Sequence, residues 1–100
     1  MNITAEEAKE IMDNEEDYII LDVRTQEEYD EGHIPGAVLI PDYEIGEKAP
    51  EILTDKDKLI LVYCRSGRRS KEASKALADM GYTNIKEFGG IIDWQYPTER

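Results

Sequence analysis

The sequence is poor in the residues that build disulfide or metal frameworks, with one cysteine and one histidine among its 100 residues. A single cysteine excludes an internal disulfide. One cysteine and one histidine also argue against a zinc site of the Cys/His kind. We therefore expect no metal site. Hydrophobic residues make up 40% of the chain, which is enough for a compact core.

Basic residues are also scarce, because 12 lysines and arginines stand against 23 acids and give a net charge of −11. This charge argues against general nucleic-acid binding and against attachment to an anionic membrane. The segment Met1–Glu7 has neither a basic region nor a long apolar run, so we expect no signal peptide and no transmembrane span. These features predict a cytoplasmic protein, and the length predicts one domain over residues 1–100.

Apolar runs are short, and one of them, Leu59–Tyr63, leads directly into the only cysteine, Cys64. Such a run is too short for a helix and is typical of a strand buried on both faces of a parallel sheet. A helical apolar pattern follows, formed by Ala73, Ala76, Leu77 and Met80. Cys64 is therefore predicted to begin a loop between a central strand and a helix, where open α/β sheets bind their ligands.

The loop after Cys64 has the composition of an anion site. Its basic residues, with no acid between them, are Arg65, Arg68, Arg69 and Lys71. Gly67 allows a positive φ or a close approach of backbone to ligand, and successive N–H groups beside a helix N-terminus attract anions. A thiol in this setting should ionise easily, which makes Cys64 a candidate nucleophile. The alternative interpretation is a buried, inert cysteine beside a solvated basic turn.

The rest of the chain alternates between short strands and helices. Capping boxes at Thr4/Glu7 and Thr25/Glu28 predict two helices, the second of which stops at Gly32. Further strands are predicted at Met1–Ile3, Tyr18–Val23, Ala37–Ile40 and Ile85–Phe88, with a partly helical segment at Asp42–Leu53. This order indicates an α/β domain with about five strands in a mostly parallel sheet.

Three segments, taken in order, resemble those of the single-domain rhodaneses, a family of sulfurtransferases. They are Leu21–Arg24 with Glu28-Tyr29, Gly32–Ala37 and Ile40-Pro41; then Tyr63–Ser70; then Phe88–Gly90 with Trp94 and Pro97. The resemblance covers nearly the whole chain and implies a five-stranded parallel sheet with helices on both faces. It also implies that the loop cysteine takes a sulfane sulfur from a donor such as thiosulfate, becomes a persulfide and passes the sulfur to a nucleophile.

Carried over by position, the resemblance assigns the catalytic nucleophile to Cys64. It assigns substrate binding to the loop residues Arg65, Ser66, Gly67, Arg68 and Arg69. The implied partners are a small anionic sulfur donor and, as acceptor, a small thiol or a protein thiol. No cofactor is implied.

Three residues within these segments have structural interpretations. Arg24 is predicted to pair with Glu27 or Glu28 and so to tie its strand to the following helix. His33 lies in a Gly-His-Ile-Pro-Gly turn, so its ring is predicted to bond backbone rather than to act as a base. Trp94 is predicted to cover the C-terminal core rather than to hold a ligand.

Other functions remain open beside sulfur transfer. Related cysteine phosphatases close their loop with an arginine in the seventh position, whereas Arg69 closes a loop of six residues here and Ser70 stands seventh. A smaller ring of N–H groups suits a single sulfur atom better than a phosphate. Arsenate reduction usually needs a second cysteine, and non-catalytic rhodanese-like modules generally lack the loop cysteine. A sulfur-relay protein for a biosynthetic partner shares the chemistry and differs only in its acceptor.

Overall fold

The computed structural model describes residues 2–100, along which helices and strands alternate. The helices are α1 (Ala5–Asn14), α2 (Gln26–Glu31), α3 (Ile45–Ile52) and α4 (Arg68–Asp79); the strands are β1 (Tyr18–Asp22), β2 (Val38–Leu39), β3 (Leu59–Cys64) and β4 (Ile85–Gly90). Short 3-10 helices lie at Asp42–Glu44 and Ile91–Asp93. Both predicted capping boxes form at the starts of α1 and α2. Within residues 2–100, no helix has the length and apolar character that crossing a bilayer requires.

The four strands form one parallel sheet in the order β2-β1-β3-β4. Helices connect successive strands, as parallel pairing requires. β3 lies inside the sheet between β1 and β4, and every residue of β3 except Leu59 is buried. The prediction of a central strand buried on both faces is therefore confirmed, although Cys64, which was predicted to begin the loop, is the last residue of the strand.

Within residues 2–100 the sheet has four strands, one fewer than the predicted number of about five. The predicted strand Met1–Ile3 lies partly outside the described residues. Its described part makes a single parallel bridge between Asn2 and Glu87, and the Ile3 N–H donates to the Glu87 carbonyl at 2.8 Å. The N-cap Thr4 turns the chain into α1 immediately afterwards, so this part is too short to extend the ladder.

The core has two apolar layers, one on each face of the sheet. On one face, α3 and α4 cover side chains from β1 and β3, including Leu21, Val62 and Cys64. On the other, α1 and the C-terminal segment cover Ile20, Leu61 and neighbouring side chains. Helices on both faces were predicted, and the mostly parallel α/β architecture is confirmed. This layering leaves the carboxyl end of β3 as the point from which the loop after Cys64 emerges.

Candidate active site

Cys64 ends β3 and is fully buried, with an exposed fraction of 0%. The chain turns immediately after it, because Gly67 takes the left-handed φ of 110° and precedes the first residue of α4. A side chain at such a φ is strained, so glycine suits this position. The turn places the amides of Ser66, Gly67 and Ser70 close to the Cys64 sulfur, at the N-terminus of α4.

The Cys64 sulfur has polar contacts with the loop that follows it and with the first turn of α4. The Gly67 N–H donates to it at 3.0 Å, and its thiol donates to the Ser70 hydroxyl at 3.5 Å. Burial raises the pKa of the thiol, but hydrogen bonding at the sulfur lowers it by more, and the amides of Ser70, Gly67 and Ser66 contribute to this lowering. The net pKa lies below the ordinary value, which favours the nucleophilic thiolate.

The end of β4 supports the loop from the opposite side. A Cβ on Gly90 would overlap the Arg65 carbonyl, so only glycine allows the two backbones to approach this closely. The same carbonyl accepts a hydrogen bond from the Ile92 N–H at 3.2 Å. Backbone contacts with Gly90, at the end of β4, and with Ile92 just after it therefore hold the loop in place.

The three arginines of the loop have different surroundings. Arg65 and Arg68 are exposed. Arg69 is not free, because its guanidinium forms a two-pronged ion pair with Glu28 at 2.7 and 2.9 Å. This pair ties the start of α4 to α2 and lowers the pKa of Glu28 to about 2. A cleft of about 380 Å³ lies beside the loop and is lined by Asp42, Ser66, Arg68, Arg69 and Glu72.

The predicted pairing of Arg24 with Glu27 or Glu28 is wrong. Arg24 instead forms a buried ion pair with Asp22, with contacts of 2.7–3.1 Å, and donates to the Gly32 carbonyl at 2.7 Å. Alternate residues of an extended chain point to the same side, which brings Asp22 and Arg24 together. The tie between strand and helix thus exists, but it runs to the backbone at the end of α2.

His33 and Trp94 have the structural contacts that were predicted for them. The Nδ1 of buried His33 contacts the Tyr29 carbonyl at 2.9 Å, and its ring stacks on that of Tyr29 at 3.8 Å. Trp94 packs against Phe88 at 5.8 Å between ring centroids and belongs to the layer on the α1 side. The described polar contacts of both side chains lie away from the Cys64 loop.

Two residues behind the nucleophile were missed at the sequence level. Ser70 was named only as the end of a family segment and in the loop count, and no role was predicted for Glu87. Both are buried, and they are hydrogen-bonded to each other at 2.6 Å. One signal could have revealed Glu87: it lies two residues after Ile85 in a predicted strand, so its side chain shares the core-facing side with Ile85.

These features define a class of α/β proteins in which a buried thiol stands at the carboxyl end of an inner parallel strand, directly before a loop of backbone amides. Within that class the chain belongs to the rhodanese family, since the family model described as "Rhodanese-like domain" matches residues 4–96.

Relatives and solved structures agree with this assignment. "Thiosulfate sulfurtransferase PspE" of Escherichia coli (strain K12) is 39% identical over 77 residues, which cover 77% of this chain and 74% of PspE. "Putative sulfur carrier protein YrkF" of Bacillus subtilis (strain 168) is 40% identical over 98 residues, covering 97% of this chain but 52% of YrkF. A structure described as a rhodanese with anions from E. coli has a TM-score of 0.77 and 36% identity, covering 83% of this chain and 98% of its own.

Proposed function

We propose that the protein is a thiosulfate sulfurtransferase of the rhodanese type, in which Cys64 carries the transferred sulfur. The observation that supports this most directly is the position of the Cys64 sulfur, on a loop of six residues with the Gly67 amide at 3.0 Å. The thiosulfate sulfurtransferase name of PspE supports the choice of donor.

The proposed reaction has two half-reactions. The Cys64 thiolate attacks the outer sulfur of thiosulfate, the S–S bond of the donor breaks, and sulfite leaves with the bonding electron pair. An acceptor such as cyanide then attacks the terminal sulfur of the persulfide, and the S–S electron pair returns to Cys64 as thiolate. The chain has no second cysteine to attack the persulfide, so the sulfur must leave to an external nucleophile.

The loop Arg65, Ser66, Gly67, Arg68 and Arg69 would bind the anionic donor and stabilise the anionic terminal sulfur of the persulfide. Backbone N–H groups of the loop supply hydrogen bonds, while exposed Arg65 and Arg68 supply positive charge. Arg69 contributes by fixing the start of α4 through Glu28. The related E. coli rhodanese was solved with anions, which supports an anionic ligand here.

A sulfur-relay role is the second candidate, in which a protein thiol rather than a small thiol accepts the sulfur. The similarity to YrkF, which is named as a sulfur carrier, favours it. The chemistry at Cys64 is the same in both roles. We also propose a cytoplasmic location, because reducing conditions keep a lone reactive thiol free.

Steady-state kinetics with thiosulfate and cyanide test the proposal. Initial rates at several fixed cyanide concentrations should give parallel double-reciprocal lines, as a two-step scheme requires. Cys64→Ser should remain folded and show no turnover. A parallel assay with an aryl phosphate should show no hydrolysis by the native protein. Turnover by Cys64→Ser, intersecting lines or robust phosphatase activity would each contradict the proposal.

A further inference from the structure

A buried carboxylate lies behind the nucleophile and has no place in the scheme above. Glu87, in β4, is only 3% exposed. Its Oε2 accepts hydrogen bonds from the Ser70 hydroxyl at 2.6 Å and from the Gly89 N–H at 2.7 Å. None of the ion pairs formed within residues 2–100 includes Glu87. A buried acid without a cationic partner is expensive to maintain, which points to a role.

Ser70 links this carboxylate to the reactive sulfur. Its hydroxyl oxygen is within hydrogen-bond distance of Glu87 Oε2, the Gly67 carbonyl at 3.0 Å, the Gly89 carbonyl at 3.4 Å and the Cys64 sulfur at 3.5 Å. A hydroxyl has only one hydrogen to donate. The carboxylate contact is the shortest and is charge-assisted, so it takes that hydrogen. The lone pairs of Ser70 are then left to accept from the Cys64 thiol.

We propose that Glu87 is a positioning residue for the reaction, which holds the Ser70 hydrogen away from the Cys64 sulfur and so opposes negative charge on that sulfur. The proposal rests on Cys64 being the nucleophile. The loop amides and Glu87 then have opposite effects on the Cys64 sulfur. The amides stabilise the thiolate, whereas Glu87 destabilises it and so keeps the thiolate more basic.

This opposition benefits sulfur transfer in two ways. A more basic thiolate is a stronger nucleophile, by about 2.5-fold to threefold for each unit of pKa. After transfer, the cysteine sulfur is neutral and the negative charge lies one atom further out, on the terminal sulfur. Glu87 therefore disfavours the resting thiolate more than the persulfide, and this difference favours loading.

Other charged groups near Glu87 and Cys64 also affect the charge state of the sulfur, so the test must leave them unchanged. Arg69 interacts electrostatically with Cys64 from the first turn of α4. Lys71 and Lys75 line a cleft that also borders Glu87. All three bases lie on α4, and none is altered in the variants below.

The test is the pH dependence of Cys64 alkylation by iodoacetamide, which needs no sulfur transfer. In Glu87→Gln the Ser70 hydrogen is held less firmly and the negative charge is gone. We expect the alkylation midpoint to fall by about one pH unit, and the high-pH rate to fall about threefold with it. If Glu87 had only a structural role, its replacement would loosen the loop but would not lower the alkylation midpoint and the high-pH rate together.

Ser70→Ala provides the decisive second variant, and it also serves if Glu87→Gln fails to fold. If Ser70 accepts from the thiol, as proposed, its removal should lower the midpoint. If Ser70 instead donates to the thiolate, its removal should raise it. Ser70→Thr keeps the hydroxyl and should therefore have the native alkylation profile. Glu51→Gln, which removes an exposed charge on α3, should also leave the profile unchanged.

An unchanged or raised midpoint in Glu87→Gln, or a raised midpoint in Ser70→Ala, would overturn the inference. The failure of the proposed function would show differently. In that case the native protein would transfer no sulfur from thiosulfate, while the alkylation profiles would still report whether Glu87 controls the thiol.

Discussion

At the residue scale, the ion pair between Glu28 and Arg69 connects α2 to the first turn of α4, directly after the Cys64 loop. Glu28 also accepts a hydrogen bond from the Thr25 N–H at 3.1 Å, so one carboxylate both caps α2 and fixes the first turn of α4. The Arg69 hydrogen bond is the largest cause of the lowered pKa of Glu28, which burial opposes. The contribution of this ion pair to the free energy of unfolding should therefore depend on pH, and that dependence can be measured.

Glu28→Gln should lower the free energy of unfolding at pH 7 by roughly 1–3 kcal/mol, given the partial exposure of the pair. In the folded protein the pKa of Glu28 is about 2, below the ordinary value of 4.5 for a glutamate carboxyl. The stabilisation is therefore present above pH 4.5 and is lost as the pH falls towards 2. Urea unfolding of both proteins from pH 7 to pH 2 should show their difference shrinking over that window.

Glu7→Gln is the matched control, because Glu7 occupies the same position in the α1 capping box but has no arginine partner among the ion pairs of residues 2–100. Its loss of stability should be less than half as large. Equal losses in the two variants would mean that capping, rather than Arg69, accounts for the effect.

At the element scale, the contact between the end of β4 and the loop after β3 positions the nucleophile. Gly90 lies opposite Cys64 in the sheet register, and a bulge separates this pairing from that of Val62 with Glu87. The irregular register carries Gly90 against the Arg65 carbonyl. The loop geometry therefore depends on Gly90, which lies 25 positions after Arg65 in the sequence.

Gly90→Ala should destabilise the protein by roughly 1–3 kcal/mol, because the added methyl group overlaps backbone that is already packed. It should also reduce sulfur transfer by displacing the loop amides. Gly46→Ala is the control: Gly46 lies within α3 with open space around its Cβ position, so the change should stabilise by roughly 0.5–1 kcal/mol. Thermal unfolding and the thiosulfate assay check both variants, and normal activity in Gly90→Ala would contradict this role of the contact.

At the scale of the whole molecule, the basic loop contrasts with an acidic protein of net charge −11. Replacing exposed Arg65 and Arg68 together with glutamine should raise the KM for thiosulfate roughly threefold to tenfold, since the donor is a divalent anion. Rising ionic strength should raise the KM of the native protein more than that of the variant. Replacing Lys9 and Lys48 in α1 and α3 removes the same charge elsewhere and should have a smaller effect; equal effects would mean that only net charge matters.

Much of this architecture could be predicted from the chain itself. The apolar run before Cys64, the capping boxes and the glycine of the loop each specify local structure through short-range chemistry, and each prediction about them holds. The prediction of a fifth strand at Met1–Ile3 was wrong for its described part, because Thr4 caps α1 before a ladder can form. The partners of Arg24 and Arg69, and the carboxylate behind Ser70, depend on which elements the sheet order brings together, and local patterns do not specify that order.

The central claim, that Cys64 carries the sulfur, is tested most directly by intact-protein mass spectrometry after incubation with thiosulfate alone. The native protein should gain one sulfur atom per chain and then stop, peptide mapping should place that sulfur on Cys64, and an added thiol should remove it. Cys64→Ser should gain none. A native protein that gains no sulfur, or a Cys64→Ser variant that gains as much as the native protein, would contradict the account.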